Sequence, residues 1–380
     1  ADMDYETLKL IWWLLIGVLL IGFAIMDGHD MGMGVLLPFV GRNDLERRAM
    51  INTVAPHWDG NQVWFITAGG AIFAAWPLVY ATAFSGFYWA MMAALWALFF
   101  RPVGFDYRSK IKHPTWRSTW DWGLFIGGAV PPIIFGVAFG NLLLGVPFYF
   151  DDLMMSTYTG SFWALLNPFA LLAGVVSLGM ITLQGANYLM MRTEGAIYRR
   201  VRTASLIFGA LTFVTFALAG VWVATGIDGY VVTSALAPNA PSDPLAKTVE
   251  VQAGAWMHNY AQYAWAMWVP IAAFVALAAG ILLSRLHQAG AAFWSSSVAC
   301  AGIIGTAGVS MFPFIMPSST DPRSSLTVYD AVSSHLTLGL MLGATVIFMP
   351  LIIFYTSWAY KVMWGKVTTE YITANDKSVY

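Results

Sequence analysis

Carboxyl groups that could carry protons are concentrated in the first 110 residues of an otherwise apolar chain. Asp27 and Asp30 are three residues apart, so a helix would place them on one face. Asp59 and Asp106 follow, and the predicted helices bring all four to one depth near the same membrane surface. Placing an ionisable group inside a bilayer costs about 2.5–3.5 kcal/mol of insertion free energy. Each of these carboxyl groups therefore calls for a structural or functional explanation.

Two interpretations of these carboxyl groups compete. They could pair with Arg42, Arg101 or Arg108 and tie helix ends together, or they could pass protons inward through water and neighbouring side chains. The sequence favours proton transfer for Asp59 and an ion pair with Arg108 for Asp106. It leaves Asp27 and Asp30 open between the two roles.

The stretch PHWDGNQVW at positions 56–64 is the densest polar patch in any apolar run. Helical spacing pairs its histidine with its asparagine and its aspartate with its glutamine. A hydrogen-bonded network explains such a patch, because polar groups in lipid need partners. A quinone head group, which is planar and has two carbonyl acceptors, would also suit donors beside an aromatic ring. Both interpretations remain open for the candidate set His57, Trp58, Asn61, Gln62 and Arg101.

Histidine and cysteine show no recognisable metal or haem motif. The chain has six histidines and one cysteine, and it lacks a C-x-x-C-H run. His29 and His57 lie in apolar runs but have no partner at a familiar ligand spacing. The sequence therefore predicts no metal site and no haem held by this chain alone.

The composition indicates which type of secondary-structure element positions these residues. Hydrophobic residues make up 58% of the 380, charged residues only 10%, and the mean hydropathy is +0.65. A soluble domain carries about 25% charged residues. A soluble enzyme, a disordered chain and a nucleic-acid-binding protein are therefore excluded. The sequence predicts an all-α polytopic membrane protein.

Runs of about 20 apolar residues predict transmembrane helices, because lipid offers no partner to a free backbone group. The weakest boundary is Trp76-Pro77, where proline should end a helix. We do not expect the first run to be a cleavable signal, since Asp2, Asp4 and Glu6 precede it instead of basic residues. The nine predicted spans are 8–37, 52–75, 79–100, 119–144, 162–190, 201–225, 260–284, 291–313 and 333–363.

Basic residues predict the orientation. Sixteen of the 19 Lys and Arg fall on one side of a nine-span chain, and only Lys9, Lys247 and Arg323 fall on the other. The positive-inside rule then places the N-terminus in the periplasm and the C-terminus in the cytoplasm. The longest outer connection, 226–259, is either an ordered loop or a spacer, and its length and three prolines favour a spacer.

A weak internal repeat suggests how the helices are grouped. A shift of 157 residues brings Asp27 onto Gln184 and Asp30 onto Asn187, while a shift of 151 brings Asp59 onto Ala210. The sequence thus predicts two four-helix bundles related by a parallel repeat, plus a ninth helix. The predicted domains are 1–150 with the carboxyl groups, 151–320 with the outer loop, and 321–380 with the ninth helix and tail.

Several motifs resemble those of one family, subunit II of the cytochrome bd ubiquinol oxidases, and the resemblance extends in order over nearly the whole chain. The motifs are DGHDMG at 27–32, GRND at 41–44, APHWDGNQVW at 55–64, FFRPVGFDYR at 99–108, GVW at 220–222, GIDGY at 226–230 and MFPFIMPSS at 311–319. His29 lies inside the first motif, and no role is attached to it.

The resemblance implies a non-catalytic, haem-free subunit of a quinol oxidase in the bacterial inner membrane. It implies a larger partner, subunit I, that holds haems b and d, oxidises quinol and reduces dioxygen to water. It further implies that this chain supplies carboxylates to a proton pathway from the cytoplasm, with Asp59 and Asp106 at pathway positions and Asp27 and Asp30 matching less certainly. A structural quinone and small single-span accessory subunits occur in some members.

Three function classes follow. The chain could deliver protons within a respiratory oxidase and so contribute to the proton motive force, or it could serve purely as a structural scaffold for the haem-bearing subunit. A standalone proton-coupled transporter is the third class. The parallel direction of the repeat and the lack of a clearly broken midplane helix argue against a transporter.

Overall fold

A computed structural model describes residues 3–380, so Asp2 of the predicted acidic flank lies outside the described residues. In that range the chain is mostly helical, with three two-stranded antiparallel sheets between helices. The helices are α1 Tyr5–Val40, α2 Asp44–Asn52, α3 Trp58–Ala75, α4 Pro77–Gly86, α5 Tyr88–Leu98, α6 Phe100–Tyr107, α7 Pro114–Leu144, α8 Pro168–Arg192, α9 Gly195–Thr225, α10 His258–Gln262, α11 Trp268–Arg285, α12 Ala289–Met311, α13 His335–Val362 and α14 Thr369–Ala374. The strands are β1 Phe148–Phe150, β2 Ser156–Tyr158, β3 Asp228–Val232, β4 Val249–Ala253, β5 Phe314–Met316 and β6 Leu326–Thr327.

Eight helical segments in the described residues are long and apolar enough to cross a membrane, and counting the bent pair α3–α4 makes nine. This count of eight to nine includes the nine spans predicted from the sequence. Several helices begin after an Asp, Asn or Ser whose side chain accepts a hydrogen bond from a backbone amide in the first turn. Asp4 accepts a hydrogen bond from the amide of Thr7, Asn167 caps α8 and Ser334 caps α13 in the same way.

The predicted boundary at Trp76-Pro77 is a sharp bend, since α3 and α4 meet at 119°. Proline occupies the first position of α4, where its missing N–H removes no helical hydrogen bond. The prediction of one continuous span over 79–100 is wrong, because α4 ends at Gly86 and α5 begins at Tyr88. Glycine has low helix propensity, and Phe87 leaves the helical region with φ −92° and ψ 30°.

Helix α1 lies at the centre of the fold and packs on α3, α7 and α8. Its crossing with α8 depends on two glycines. A Cβ on Gly32 would lie 2.7 Å from the Cα of Gly185, so only glycine allows this approach. On the far side, α8 packs on α9 and α12, and α11 packs on both of those. Because α7 also packs along α8, the two predicted bundles share one interior, and the division at 150 stays a prediction.

The outer loop 226–259 is folded, so the prediction of a spacer is wrong. Strands β3 and β4 pair from Asp228↔Ala253 to Val232↔Val249. Tyr230 and Trp256 are buried against Phe314, which anchors the hairpin in an apolar cluster. Aromatic burial of this kind stabilises a loop as a small core would, and the prolines that suggested a spacer lie between the strands.

A buried ion pair also fixes this loop. The Lys247 ammonium lies 2.6 Å from Asp330 Oδ2, and both side chains are at most 10% exposed. Burial lowers the pKa of Lys247 and raises the pKa of Asp330, because both charged forms lose hydration. The Lys9 ammonium donates nearby to the carbonyls of Ala240 and Tyr329. Two of the three basic residues assigned to the outer side therefore hold the outer loops together.

We expect Lys247→Met to loosen the outer loop, because it leaves the Asp330 carboxylate buried without its counter-charge. The loss of one partner of a buried pair costs about 3–5 kcal/mol. Hydrogen exchange of the β3 and β4 amides should accelerate. Lys247→Met/Asp330→Leu should restore most of the protection, while Lys361→Met removes an exposed charge and should change nothing. Unchanged protection in Lys247→Met would show that the pair does not hold the loop.

Candidate functional site

Asp27 and Arg101 form a buried bidentate ion pair. The guanidinium of Arg101 donates to Asp27 Oδ2 at 2.9 Å and to Oδ1 at 2.6 Å, and neither side chain is more than 2% exposed. Helix α1 supplies the carboxylate, and the broken α5–α6 segment turns the arginine toward it. Arg101 also lies over the Trp58 ring at 5.2 Å. Both charges are satisfied within the protein, which suits the tying role that the sequence left open for Asp27.

Asp30 lies one helical turn further along α1 and has no arginine partner. Its Oδ2 accepts a hydrogen bond from Asn61 Nδ2 at 2.8 Å. Its Oδ1 is buried and accepts no hydrogen bond. Unpaired buried acceptors are rare in folded proteins and mark strain, a bound ion or a proton-transfer role.

His57 links Asp30 to a second polar group on α8. Its Nε2 lies 2.9 Å from the Tyr188 hydroxyl, and its Nδ1 faces Asp30 Oδ1 at 3.9 Å. The Tyr188 hydroxyl donates to the Thr53 carbonyl at 2.9 Å and accepts from Arg192 at 2.9 Å. The network therefore extends from the core of the fold to the end of α8.

His29 and Tyr360 close the network from the other side. The Tyr360 hydroxyl, on α13, lies 3.1 Å from His29 Nε2 and 3.2 Å from His57 Nδ1. His29 Nε2 lies 3.3 Å from Asp30 Oδ1, and its ring stacks on Tyr188 at 4.1 Å. Polar contacts of 3.3 Å or less thus connect Tyr188 through His57, Tyr360 and His29 to Asp30. We call these five residues the polar string.

The candidate quinone set divides between two environments. His57 and Asn61 belong to the polar network, and Trp58 is buried against Phe105 at 5.0 Å beside Arg101. Gln62 is half-buried. A separate apolar groove of about 380 Å³ lies between α1, α3 and α13, where Trp12, Thr67 and Met341 line it. A quinone at the predicted set stays a prediction.

Asp59 and Asp106 do not join Asp27 and Asp30. Both are exposed at the surface of this chain, Asp59 in the first turn of α3 and Asp106 near the end of α6. The four carboxylates therefore do not form one cluster within this chain, because α3 and α6 turn these two side chains outward. Their predicted common depth in the membrane stays a prediction. A carboxylate in the first turn is also stabilised by the helix dipole.

The expected pair between Asp106 and Arg108 is likewise absent among the described residues. Arg108 instead donates to Asp121 Oδ1 on α7 at 2.6 Å and approaches Asp44 Oδ1 at 3.0 Å. Arg47 donates to the other oxygen of Asp121 at 2.9 Å. Asp121 is 1% exposed and both of its oxygens accept hydrogen bonds from arginine, so it joins helix ends without a free acceptor of its own.

The amides that replace the carboxylates in the proposed repeat are fully hydrogen-bonded. Gln184 donates to Ser297 at 2.9 Å and accepts from Ser296 at 2.6 Å, both on α12. Asn187 donates to the Ala292 carbonyl at 3.0 Å and accepts from Ser205 at 2.5 Å. Neutral groups suffice for helix packing here, whereas Asp30 at the matching position keeps an unpaired oxygen.

Sequence reasoning missed several members of the site. It assigned no role to His29, and it did not select Tyr188, Arg192, Tyr360 or Asp121. A weak signal existed, since Tyr188 and Arg192 are four apart at the end of an apolar run. Tyr360 gave none, because its distance of 303 residues from His57 is bridged only by folding.

Comparisons with known proteins agree on one family. Residues 8–363 match the family model described as cytochrome bd terminal oxidase subunit II. The chain is 58% identical over 380 residues to cytochrome bd-I ubiquinol oxidase subunit 2 of Escherichia coli K12, and the match covers all of both chains. It is 55% identical over 379 residues to the probable cytochrome oxidase subunit 2 of Haemophilus influenzae, again with full coverage of both.

Two more distant matches extend the comparison. The chain is 31% identical over 361 residues to cytochrome bd ubiquinol oxidase subunit 2 of Bacillus subtilis, covering 94% of this chain and 96% of the relative. The solved structure of the bd oxidase from Geobacillus thermodenitrificans contains a chain of similar fold. Its TM-score is 0.70 at 15% identity, covering 94% of this chain and 98% of that one.

Removal of Arg101 should prevent correct folding. We expect Arg101→Met to cost about 3–5 kcal/mol, because Asp27 would be left charged and buried. The yield of monodisperse chain in detergent should fall sharply. The double variant Asp27→Leu/Arg101→Met should recover much of that yield, and Arg199→Met, which removes an exposed arginine, serves as the control. Normal yield of Arg101→Met would contradict a structural role for the pair.

Proposed function

Because the chain belongs to the family of subunit II of cytochrome bd terminal oxidases, we propose that it delivers protons to a haem-bearing partner. The reaction served is the oxidation of quinol coupled to reduction of dioxygen to water. In this proposal the chain holds no haem and no complete catalytic centre. Its contribution is a proton-entry path from the cytoplasm, and through it a share of the proton motive force.

The unpaired Oδ1 of Asp30 at the end of the polar string carries this proposal. Hydroxyl and imidazole groups can both accept and release a proton, so a string of them can transfer one by successive hydrogen bonds. Successive members of the string are 2.9–3.3 Å apart. A carboxyl oxygen without a hydrogen-bond donor suits a site that gains and loses protons, since no fixed donor competes.

The sidedness of the charges supports entry from the cytoplasm. Arg192, which donates to Tyr188, also donates to the Gly365 carbonyl in the C-terminal tail. That tail and most basic loops lie on the side that the positive-inside rule assigns to the cytoplasm. The string therefore begins near that face. In the proposal the N-terminus is periplasmic and the chain resides in the bacterial inner membrane.

The partner in this proposal is subunit I, which would hold haems b and d. Packing supports a haem-free role for this chain, since its two histidines inside spans are enclosed by aromatic rings. His29 stacks on Tyr188 and lies 5.9 Å from Phe293, while His57 lies 4.4 Å from Tyr360. A structural quinone and single-span accessory subunits remain part of the proposal as further partners.

One face of α3 suits the partner. Asp59, Val63, Ile66, Gly70 and Phe73 follow one another at spacings of four and three, and all five are exposed. A carboxylate is unfavourable against lipid tails but can meet polar groups of a second protein. The exposed face of α9, by contrast, consists of Leu211, Val214, Leu218 and Val221 and carries no charge. We place the partner on the α3 face and lipid on the α9 face.

A purely structural scaffold is the second candidate, and the Asp27–Arg101 pair favours it. A bidentate pair of this kind fixes α1 against α6 and needs no proton transfer. The two functions are distinguished by turnover per haem. A proton-delivering residue changes that quantity, whereas a scaffold residue changes the amount of assembled complex.

We expect Asp30→Asn to slow oxygen consumption per haem by at least about 10-fold while haem content stays normal, since an amide cannot carry the proton. Asp59→Asn should act in the same direction if its exposed carboxylate lies on the path into the partner. Asp121→Asn is the matched control, since Asp121 is equally buried but fully paired. That variant should lower the yield of complex and leave turnover per haem unchanged. Normal turnover in Asp30→Asn would remove the proton role.

Enlargement of the α3 face should weaken assembly. Val63→Trp places a large ring where the partner packs, and overpacking typically costs about 1–3 kcal/mol. Val214→Trp on α9 is the control, because the internal repeat aligns the two valines and they are 50% and 54% exposed. The measurement is haem per copy of this chain after affinity purification. Equal haem in the two variants would argue against the α3 face as the contact.

A further inference from the structure

We infer that His29, Asp30, His57 and Tyr360 form a binding site for a divalent transition-metal cation, with Zn²⁺ as the best match. The sequence predicted no metal site, because the two histidines are separated by an interhelical connection. The fold brings ligand atoms of His29, Asp30 and His57 within 4.8 Å of one another, and all three residues are buried.

The tautomer of His29 is set by the backbone. Its Nδ1 lies 3.1 Å from the Ile25 carbonyl, which can only accept a hydrogen bond. Nδ1 therefore carries the hydrogen, and the lone pair is on Nε2. That atom faces Asp30 Oδ1 at 3.3 Å and the Tyr360 hydroxyl at 3.1 Å. Metal-bound histidines commonly have this arrangement, with the second nitrogen donating to a carbonyl.

The tautomer of His57 is set by Tyr188. The single hydroxyl hydrogen of Tyr188 is donated to the Thr53 carbonyl. His57 Nε2, 2.9 Å from that hydroxyl oxygen, must therefore donate to it. The lone pair of His57 is left on Nδ1, which faces Asp30 Oδ1, the Tyr360 hydroxyl and Asn61 Nδ2 at 3.2 Å. Both imidazoles thus direct a lone pair toward the same carboxylate oxygen.

This arrangement has too few hydrogens for its acceptors. The inward acceptors are both oxygens of Asp30, His29 Nε2, His57 Nδ1 and the Tyr360 oxygen. Asn61 Nδ2 supplies two hydrogens and Tyr360 supplies one. Asp30 Oδ1 receives none, although His29 Nε2 lies beside it. Two lone pairs facing each other repel unless a proton or a metal cation lies between them.

The distances suit a four-coordinate metal. Tetrahedral Zn²⁺ with bonds of about 2.0–2.1 Å places neighbouring ligand atoms roughly 3.3–3.4 Å apart. Four of the six corresponding separations here are 3.1, 3.2, 3.3 and 3.9 Å. Two imidazole nitrogens, one carboxylate oxygen and one phenol oxygen form a nitrogen–oxygen donor set that first-row divalent metals accept. Small shifts of His57 would close the longest separation.

The carboxylate of Asp30 is the negative charge available to a cation at this site. Asp27 is neutralised by Arg101, so the carboxylate of Asp30 has no arginine of its own. Asn61 holds the second oxygen of Asp30 at 2.8 Å and so directs Oδ1 toward the imidazoles. These hydrogen bonds orient the ligands from outside the site, as second-shell partners do in metalloproteins.

The metal site and the proposed proton path use the same lone pairs, but the two proposals stand separately. Metal binding follows from ligand geometry alone and requires no proton transfer. If the polar string also carries protons, Zn²⁺ would occupy the atoms that the protons need. Bound Zn²⁺ would then inhibit oxygen consumption.

The test uses the intact complex in detergent, first treated with EDTA and then titrated with ZnCl₂. We expect the complex to bind one Zn²⁺. The His29→Gln substitution should lower the Zn²⁺ affinity by more than about 10-fold. Tyr360→Phe should also weaken binding, because it removes the phenol oxygen and keeps the half-buried ring on a peripheral helix. His258→Gln alters a histidine at the end of an outer loop and should leave the affinity unchanged. Zinc-edge X-ray absorption should show imidazole scattering that the His29→Gln complex loses.

Each outcome decides between the proposals. Equal Zn²⁺ affinity in the unsubstituted and His29→Gln complexes would overturn the metal site, as would an absorption spectrum without imidazole scattering. Zn²⁺ that binds through His29 without slowing oxygen consumption would support the metal site and contradict the proton path. Inhibition that disappears in His29→Gln would support both.

Discussion

Charge buried at membrane depth is the constraint on which the rest of this structure depends. A carboxylate removed from water must be neutralised by a counter-charge, a proton or a metal. Asp27 meets this requirement with Arg101, and Asp121 meets it with Arg47 and Arg108. Asp30 is the exception, because its partners are neutral donors and imidazoles. That difference separates the carboxylates that tie helices together from the one suited to chemistry.

The helix packing determines which carboxylate is the exception. Gly32 lets α1 approach α8 closely, which brings Tyr188 against the rings of His29 and His57. Helix α13 then adds Tyr360 from a part of the chain that otherwise contacts the fold little. The polar string is thus assembled from α1, α8, α13 and the residue that precedes α3, and no single helix contains enough of it to act.

Features that suit both of the roles expected from the sequence lie close together in the fold. The Asp27–Arg101 pair suits a scaffold, and the polar string suits proton transfer. The exposed Asp59 belongs to neither set within this chain. Its place at the head of the apolar α3 face suits a residue completed by a second protein. A subunit that supports its partner and also supplies protons to it would need all three features.

Part of this site could be predicted from local pattern alone. Asp27 and Asp30 were identifiable because charge in an apolar run is costly, and His57 and Asn61 because their spacing is helical. The Trp76-Pro77 break followed from the backbone chemistry of proline. The partners of Arg101 and Arg108 could not be assigned from the sequence. Opposite charges pair by distance in space, and the sequence offered several candidate carboxylates for each arginine.

By itself, the sequence determined that this is a helical membrane protein, which residues are too polar for lipid, and which family it resembles. These properties depend on composition and on short-range spacing. The tertiary structure decided which carboxylate is paired, which is exposed, and that His29, Tyr188 and Tyr360 meet around Asp30. Such contacts join residues up to 331 positions apart, and the packing of several helices together is what brings them within hydrogen-bonding distance.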